Sequence, residues 1–433
     1  MFEEIYRNKR MSPDNAAALV PEDASLTHGL AVCEPPAILE ALGRRLRSGD
    51  LKHVSVYSML PGRPVAESLL DPLLLDQVDA FSWFVGPADR GLVRTGLNYF
   101  IPNEFHQLPR FIREAMDLTV AVTTVSPMDR NGFFTFGLSN DYISAAARAA
   151  KVLIVEVNEN MPRIFGDSLL HVSEVTAIVE NSAPVPEIMP QPPRPEAEKI
   201  GKIVADLVPD EAVIQLGFGT LPAAVGKYLS GHRDLGIHTE LFCPALMDLV
   251  RKGAATGAKK AFHRRKHCFT NALGNREMYD FLHDNPSAES YPVDYLNDPG
   301  VIARNPNMIS INATIQVDLL GQCNSEYMAG SEYSGTGGQL DYVRGAYRSP
   351  GGKSVIAFYS TAKEGSVSRV VPRLPAGTVV TTPATDVHYL ATEYGAVNLK
   401  GKCTRDRALA IIAIAHPRFR DELLKEAENM RLI

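Results

Sequence analysis

Glu240 and the glycines Gly217 and Gly219 are the residues whose types and spacing could do chemistry. In IQLGFGTLPAAVGKYLSGHRDLGIHTEL, residues 214–241, an apolar run over Ala212–Leu216 reads as a buried strand. It breaks at Gly217-Phe218-Gly219, and a helical apolar pattern resumes over Leu221–Leu229. Such a turn offers backbone N–H groups and a helix dipole to an anion, and glycines let that partner approach the main chain. Glu240 ends the next apolar segment, so a carboxylate lies near a donor-rich turn. It could serve as a nucleophile, as a ribose ligand or only as a helix neighbour. The ribose reading asks for a third glycine where Pro222 stands, although Glu240 falls 21 residues after Gly219, where a dinucleotide site would place its acid. A tight turn without ligand is the ordinary alternative.

Three further stretches compete. Gly335-Thr336-Gly337-Gly338 is either a loose surface loop or a turn that comes close to a ligand. Lys363 and Arg369 flank a turn after a strand, where basic residues are usually solvated but could neutralise phosphates. KKAFHRRKH, residues 259–267, has His263 and His267 four apart with no Glu after His263, so no metal is expected and a solvated basic face is favoured. Neither a G-x-S-x-G elbow nor the G-K-[ST] of a P-loop occurs. Cys243 reads as a small buried residue.

The elements that must position these residues are α/β. Residues 1 to about 50 read as helical, with Pro35-Pro36 opening a helix that ends near Gly49. Strand-like runs follow at His53–Met59, Val78–Val85, Leu118–Val125, Val152–Val157 and Val175–Val179, with helix-length segments between several of them. APVPEIMPQPPRPE, residues 183–196, holds six prolines and marks a boundary. The expected domains are 1–183, a linker over 184–196, and 197–433. Asp129 precedes Gly132 as Asp318 precedes Gly321, each after an apolar strand, an echo that suggests two α/β domains of similar topology. Ligands in such folds sit at strand C-termini and in the cleft between domains.

Composition narrows the function. A net charge of −6 without a basic tract gives no electrostatic grip on nucleic acid or on an anionic membrane. Five scattered cysteines suggest neither a disulfide framework nor a zinc module. With no apolar segment of spanning length, a cytoplasmic protein is expected.

Taken together, SPMDRNGFFTFG, IQLGFGTLPAAV, LGIHTELF, INATIQVDLLGQ, YSGTGGQLDYVRGA and VTTPATDVHYLATEYGAVNLKGK resemble the acetyl-CoA hydrolase/transferase family, and within it the 4-hydroxybutyrate CoA-transferases. The resemblance implies two open, mainly parallel-sheet α/β domains, a homodimer, and acyl-CoA and short-chain carboxylic acids as substrates with no cofactor. It makes Glu240 the nucleophile that attacks the thioester. Gln215, Leu216, Gly217, Phe218 and Gly219 match the segment that contacts coenzyme A, with further contacts at Gln316, Gly338 and Lys363. Gln316 stands where relatives carry an acid, which removes a rival carboxylate. Oxyanion donors are expected from the backbone of 217–219 and of Gly337 and Gly338. Arg63, in YSMLPGRPVAESLL, is a candidate partner for a second substrate carboxylate. An acyl-CoA hydrolase is the alternative within the family, and a nicotinamide-dependent oxidoreductase the alternative outside it.

Overall fold

The computed structural model describes residues 1–188, 193–217 and 219–433. Its contacts divide the chain into two bodies. The first comprises Met1–Ile188 with Cys268–Tyr295 and Ser331–Gly335; the second comprises Met189–His267, Leu296–Gly330 and Thr336–Ile433. Two distant segments thus group with the first body, an exchange that no single boundary along the sequence contains. Of the proline-rich stretch, 189–192 lie outside the described residues, and a helix already starts at Pro195, whose missing N–H costs nothing at that position.

The first body is built on a parallel sheet in the order Ala177–Glu180, Val152–Val157, Val120–Val125, Ala24–His28, Val54–Met59, Val78–Phe84, Tyr99–Phe100. Val120–Val125 is buried at all six positions, as a strand covered on both faces must be. Ala24–His28 corrects the helical reading of residues 1 to 50. It is short and buried without alternation, so periodicity does not reveal it, yet it is the strand beside which the order reverses. The helix expected after Pro35-Pro36 spans Pro36–Ser48 and stops at Gly49 in a left-handed conformation.

The second body repeats the plan. Gly395–Asn398, Tyr389–Thr392, Lys353–Ala357, Met308–Ala313, Val213–Leu216 and Gly236–Phe242 lie side by side, all parallel except the terminal hairpin. Val213–Leu216 has Gly236–Phe242 on one side and Met308–Ala313 on the other, so the glycine turn that follows it sits at a reversal of strand order, where open α/β sheets bind ligands. The sequence echo is structural. Oδ1 of Asp129 accepts from the N–H groups of Asn131 and Phe133, and Oδ1 of Asp318 accepts from those of Leu320 and Gln322. Gly132 and Gly321 each donate back to the aspartate carbonyl.

Buried carboxyls and buried imidazoles respond to pH in opposite senses. In the first, Glu156 accepts from the N–H groups of Ala37 and Ile38 at a helix start, and Glu34 accepts from those of Gly62 and Val65. Burial pushes the Glu34 carboxyl up to about 8 and that of Glu156 to about 7, from an ordinary 4.5. Between 4.5 and these values the folded chain keeps protons that the unfolded chain has released, so the stability contributed by these carboxyls falls as pH rises. Burial pushes His28 of the first body down to about 4, and in the second body His238 to about 3 and His267 and His388 to about 4, from 6.5, so their contribution to stability falls as pH falls below 6.5. Hydrogen exchange corrected for intrinsic rates should show protection of 36–46 and 62–66 declining from pH 4.5 to about 8; protection that is flat or rising there contradicts this assignment.

Candidate active site

Glu240 lies on Gly236–Phe242 and is the one residue of that strand that is not buried. Its carboxylate is held by an amide. Asn297 Nδ2 donates to Glu240 Oε2 at 2.6 Å, and Asn297 is itself fully buried. Asp298, the next residue, accepts from the N–H groups of Gly300 and Val301 and caps the helix Pro299–Ala303, which fixes the backbone that carries the amide.

Gly338 completes the cradle. It caps the helix Gln339–Arg348, and its φ of −94° would suit any residue, so conformation does not demand glycine here. Space does: a Cβ at Gly338 would strike Oε2 of Glu240 and Nδ2 of Asn297 and lie 3.0 Å from Cδ of Glu240. The start of this helix therefore lies against the carboxylate. That start is anchored in turn, because Thr336 Oγ1 donates to Glu326 and Gln339 Nε2 donates to Ser325 and Thr382.

The other residues singled out from the sequence have varied surroundings. The Gln215 side chain joins neighbouring strands, accepting from Ile311 N–H at 3.1 Å and pairing with the Asn312 amide. Leu216 is core, and the Gly217 N–H donates to the Ile311 carbonyl at 3.0 Å, which removes it as an oxyanion donor. Gly219, at φ 125°, is in a conformation that only glycine adopts readily, and it opens the helix Thr220–Leu229. Phe218 lies outside the described residues. Gln316 sits half-buried on the short strand Gln316–Asp318 opposite Asn324. Lys363 is exposed at the tip of the hairpin formed by Thr361–Ala362 and Val367–Ser368. Gly337, at φ 53°, precedes Gly338. Of these, Gly338 is the residue brought against Glu240.

Arg63, offered as a partner for a substrate carboxylate, is exposed and already pairs with Glu67 at 2.6 Å, one turn away. The basic run 259–267 is not a solvated face throughout: Lys260 is buried, its ammonium donating to the carbonyls of Ile237 and Lys266 at 2.9 Å, and His267 is buried beside it. Such carbonyl caps lower the cost of taking a cation out of water. Asn297 was not singled out at all; Asn-Asp-Pro announces a helix cap, but nothing in its spacing points to a residue 57 positions upstream.

The arrangement is a carboxylate held by a buried amide, and a carboxylate nucleophile needs no general base to attack an activated carbonyl. Gly338→Ala should displace it and break the bond from Asn297 while leaving the helix intact. A crystal structure of the variant checks this, and a retained bond contradicts it.

The family models for the acetyl-CoA hydrolase/transferase N-terminal and C-terminal domains match residues 2–190 and 274–427. A succinyl-CoA:cyclohexane-1-carboxylate CoA transferase of Geobacter metallireducens is 41% identical, over 100% of this chain and 98% of its own. A 4-hydroxybutyrate coenzyme A transferase of Clostridium kluyveri is 41% identical over 98% of each. The crystal structure of RipA from Yersinia pestis superposes with a TM-score of 0.97 at 46% identity over 100% of both chains. With both domain models matched and relatives aligned from end to end, the chain belongs to the acetyl-CoA hydrolase/transferase family.

Proposed function

We propose that this chain moves coenzyme A between a short-chain acyl-CoA and a free carboxylic acid, with Glu240 as the nucleophile. One observation supports the reading: Oε2 of Glu240 is held by Asn297 and walled by Gly338, so the carboxylate is oriented before a thioester arrives. A carboxylate is ionised at neutral pH and needs no partner to remove a proton. Attack on the thioester carbon breaks the C–S bond and gives a mixed anhydride and CoA thiolate. The thiolate then attacks Cδ of Glu240, expelling the acyl carboxylate and leaving a glutamyl-CoA thioester. A second acid reverses both steps and departs as the new thioester.

Backbone N–H groups of Gly337 and Gly338 are the donors assigned to the developing oxyanion. Water must be kept from the intermediates, since their hydrolysis would turn the transferase into a hydrolase. The acceptor we infer is a C4 to C5 acid of the 4-hydroxybutyrate or butyrate type or of the succinate or itaconate type. A homodimer in the cytoplasm completes the proposal. A panel of acceptor acids resolves the substrate question.

Incubation with acyl-CoA and no acceptor should leave CoA on the peptide that contains Glu240, and borohydride should inactivate the enzyme only after acyl-CoA is added. Glu240→Gln should lose transfer by ~10³-fold or more while still binding CoA, and Glu240→Asp by ~100-fold. Wild-type exchange in the Glu240→Gln variant, or NADH binding with no adduct, would contradict the assignment. CoA release without an acceptor acid would favour the hydrolase.

A further inference from the structure

Glu240 is steadied by Asn297 and Gly338, and both stand on elements that meet one buried ring. His238 lies two residues before Glu240 on the same strand and is fully buried. Its Nε2 lies 2.8 Å from the carbonyl oxygen of Leu296, the residue that precedes Asn297. A carbonyl only accepts, so Nε2 carries the proton and Nδ1 is the bare nitrogen, buried without a hydrogen-bond partner. The ring also packs 6.4 Å from Tyr342, whose N–H donates to the Gly338 carbonyl in the first turn of the helix that walls Glu240.

The surroundings keep this ring neutral. Burial and then the Lys260 ammonium push His238 down, the Leu296 carbonyl opposes them, and His263 adds the smallest downward push. Lys260 is fixed by the carbonyls of Ile237 and Lys266, and its stem crosses the strand start where a Cβ at Gly236 would lie 2.6 Å from its Cγ. Phe262, at 6.1 Å, closes another side of the ring and carries the Arg304 guanidinium on its own face. A neutral imidazole costs less to bury than a charged one, but its unpaired Nδ1 still costs free energy. Leucine would fill the space without that cost, so the hydrogen bond from Nε2 is what distinguishes histidine here.

We propose that His238 is a positioning residue for transfer: its Nε2–H fixes the Leu296–Asn297 peptide and thereby sets the amide that orients Glu240. The inference rests on Glu240 as the nucleophile. His238 touches no substrate and moves no proton; losing it leaves acyl-CoA binding in place and lets the carboxylate wander from its attack geometry, which is expensive in rate.

The test is a double-mutant cycle with steady-state kinetics on the full-length protein. His238→Leu should lower kcat by ~10–100-fold with KM for acyl-CoA within about twofold of wild type. His238→Gln, which can present an N–H near the same point, should recover most of the loss. In an Asn297→Ala background His238→Leu should cost little more, because both act through one contact. Additive losses, a His238→Gln variant as slow as His238→Leu, or a loss that appears in KM alone would overturn the proposal. Should His238→Leu fail to fold, His238→Met, which likewise lacks an N–H at this point, takes its place in every arm of the cycle. Glu240→Gln runs alongside: if it transfers CoA at the wild-type rate, the nucleophile assignment has failed, whereas an inactive Glu240→Gln variant beside an unaffected His238→Leu variant sinks only the role of His238.

Discussion

The hydrogen bond from Asn297 to Glu240, closed against the bare α-carbon of Gly338, is the constraint on which the site depends. A glutamate has three rotatable bonds, and an unrestrained carboxylate at a strand end would sample many orientations. Holding one oxygen removes much of that freedom, and the entropy is lost before any substrate arrives. Glycine at 338 is required by that contact and by nothing in its own backbone. The site thus requires the strand Gly236–Phe242, the turn before Pro299 and the helix after Gly338 to meet within the second body.

The sheet order makes this meeting possible. Val213–Leu216 lies where the order reverses, so the chain leaves its C-terminal end beside the crevice that such a reversal opens. Gln215 spends its side chain clamping this strand to Met308–Ala313, and the Gly217 N–H extends the same ladder by one bond. Two residues expected to face a ligand therefore serve the scaffold, and the change of role begins at Gly219, where the backbone turns into the helix.

Much of this was legible in the sequence, and the parts that were not share a physical cause. Val120–Val125 and the strand before Gly217 are local patterns, and the Asp-x-x-Gly echo is a local turn whose hydrogen bonds close within four residues. Ala24–His28 was hidden because a short strand covered on both faces has no alternation to detect. Asn297, His238 and Lys260 were hidden for another reason. Their roles arise from contacts between segments far apart in the chain, and each residue type has a plainer use: a helix cap, a core histidine, a solvated base. Glu240 and Gly338 could be singled out from their surroundings in sequence, whereas Asn297, whose amide holds the carboxylate, could be found only in space.

Oxygen labelling tests the central claim most directly. When the acceptor acid expels CoA from the glutamyl thioester and is itself converted to a thioester, one of its carboxylate oxygens stays on the enzyme. Turnover with an ¹⁸O-labelled acceptor in unlabelled water should therefore place ¹⁸O in the side-chain carboxylate of Glu240, found by mass spectrometry of the digested protein. The label should leave again in the acid released from the next unlabelled acyl-CoA. Active transfer with no ¹⁸O at Glu240, or with the label on a different carboxylate, would contradict the account.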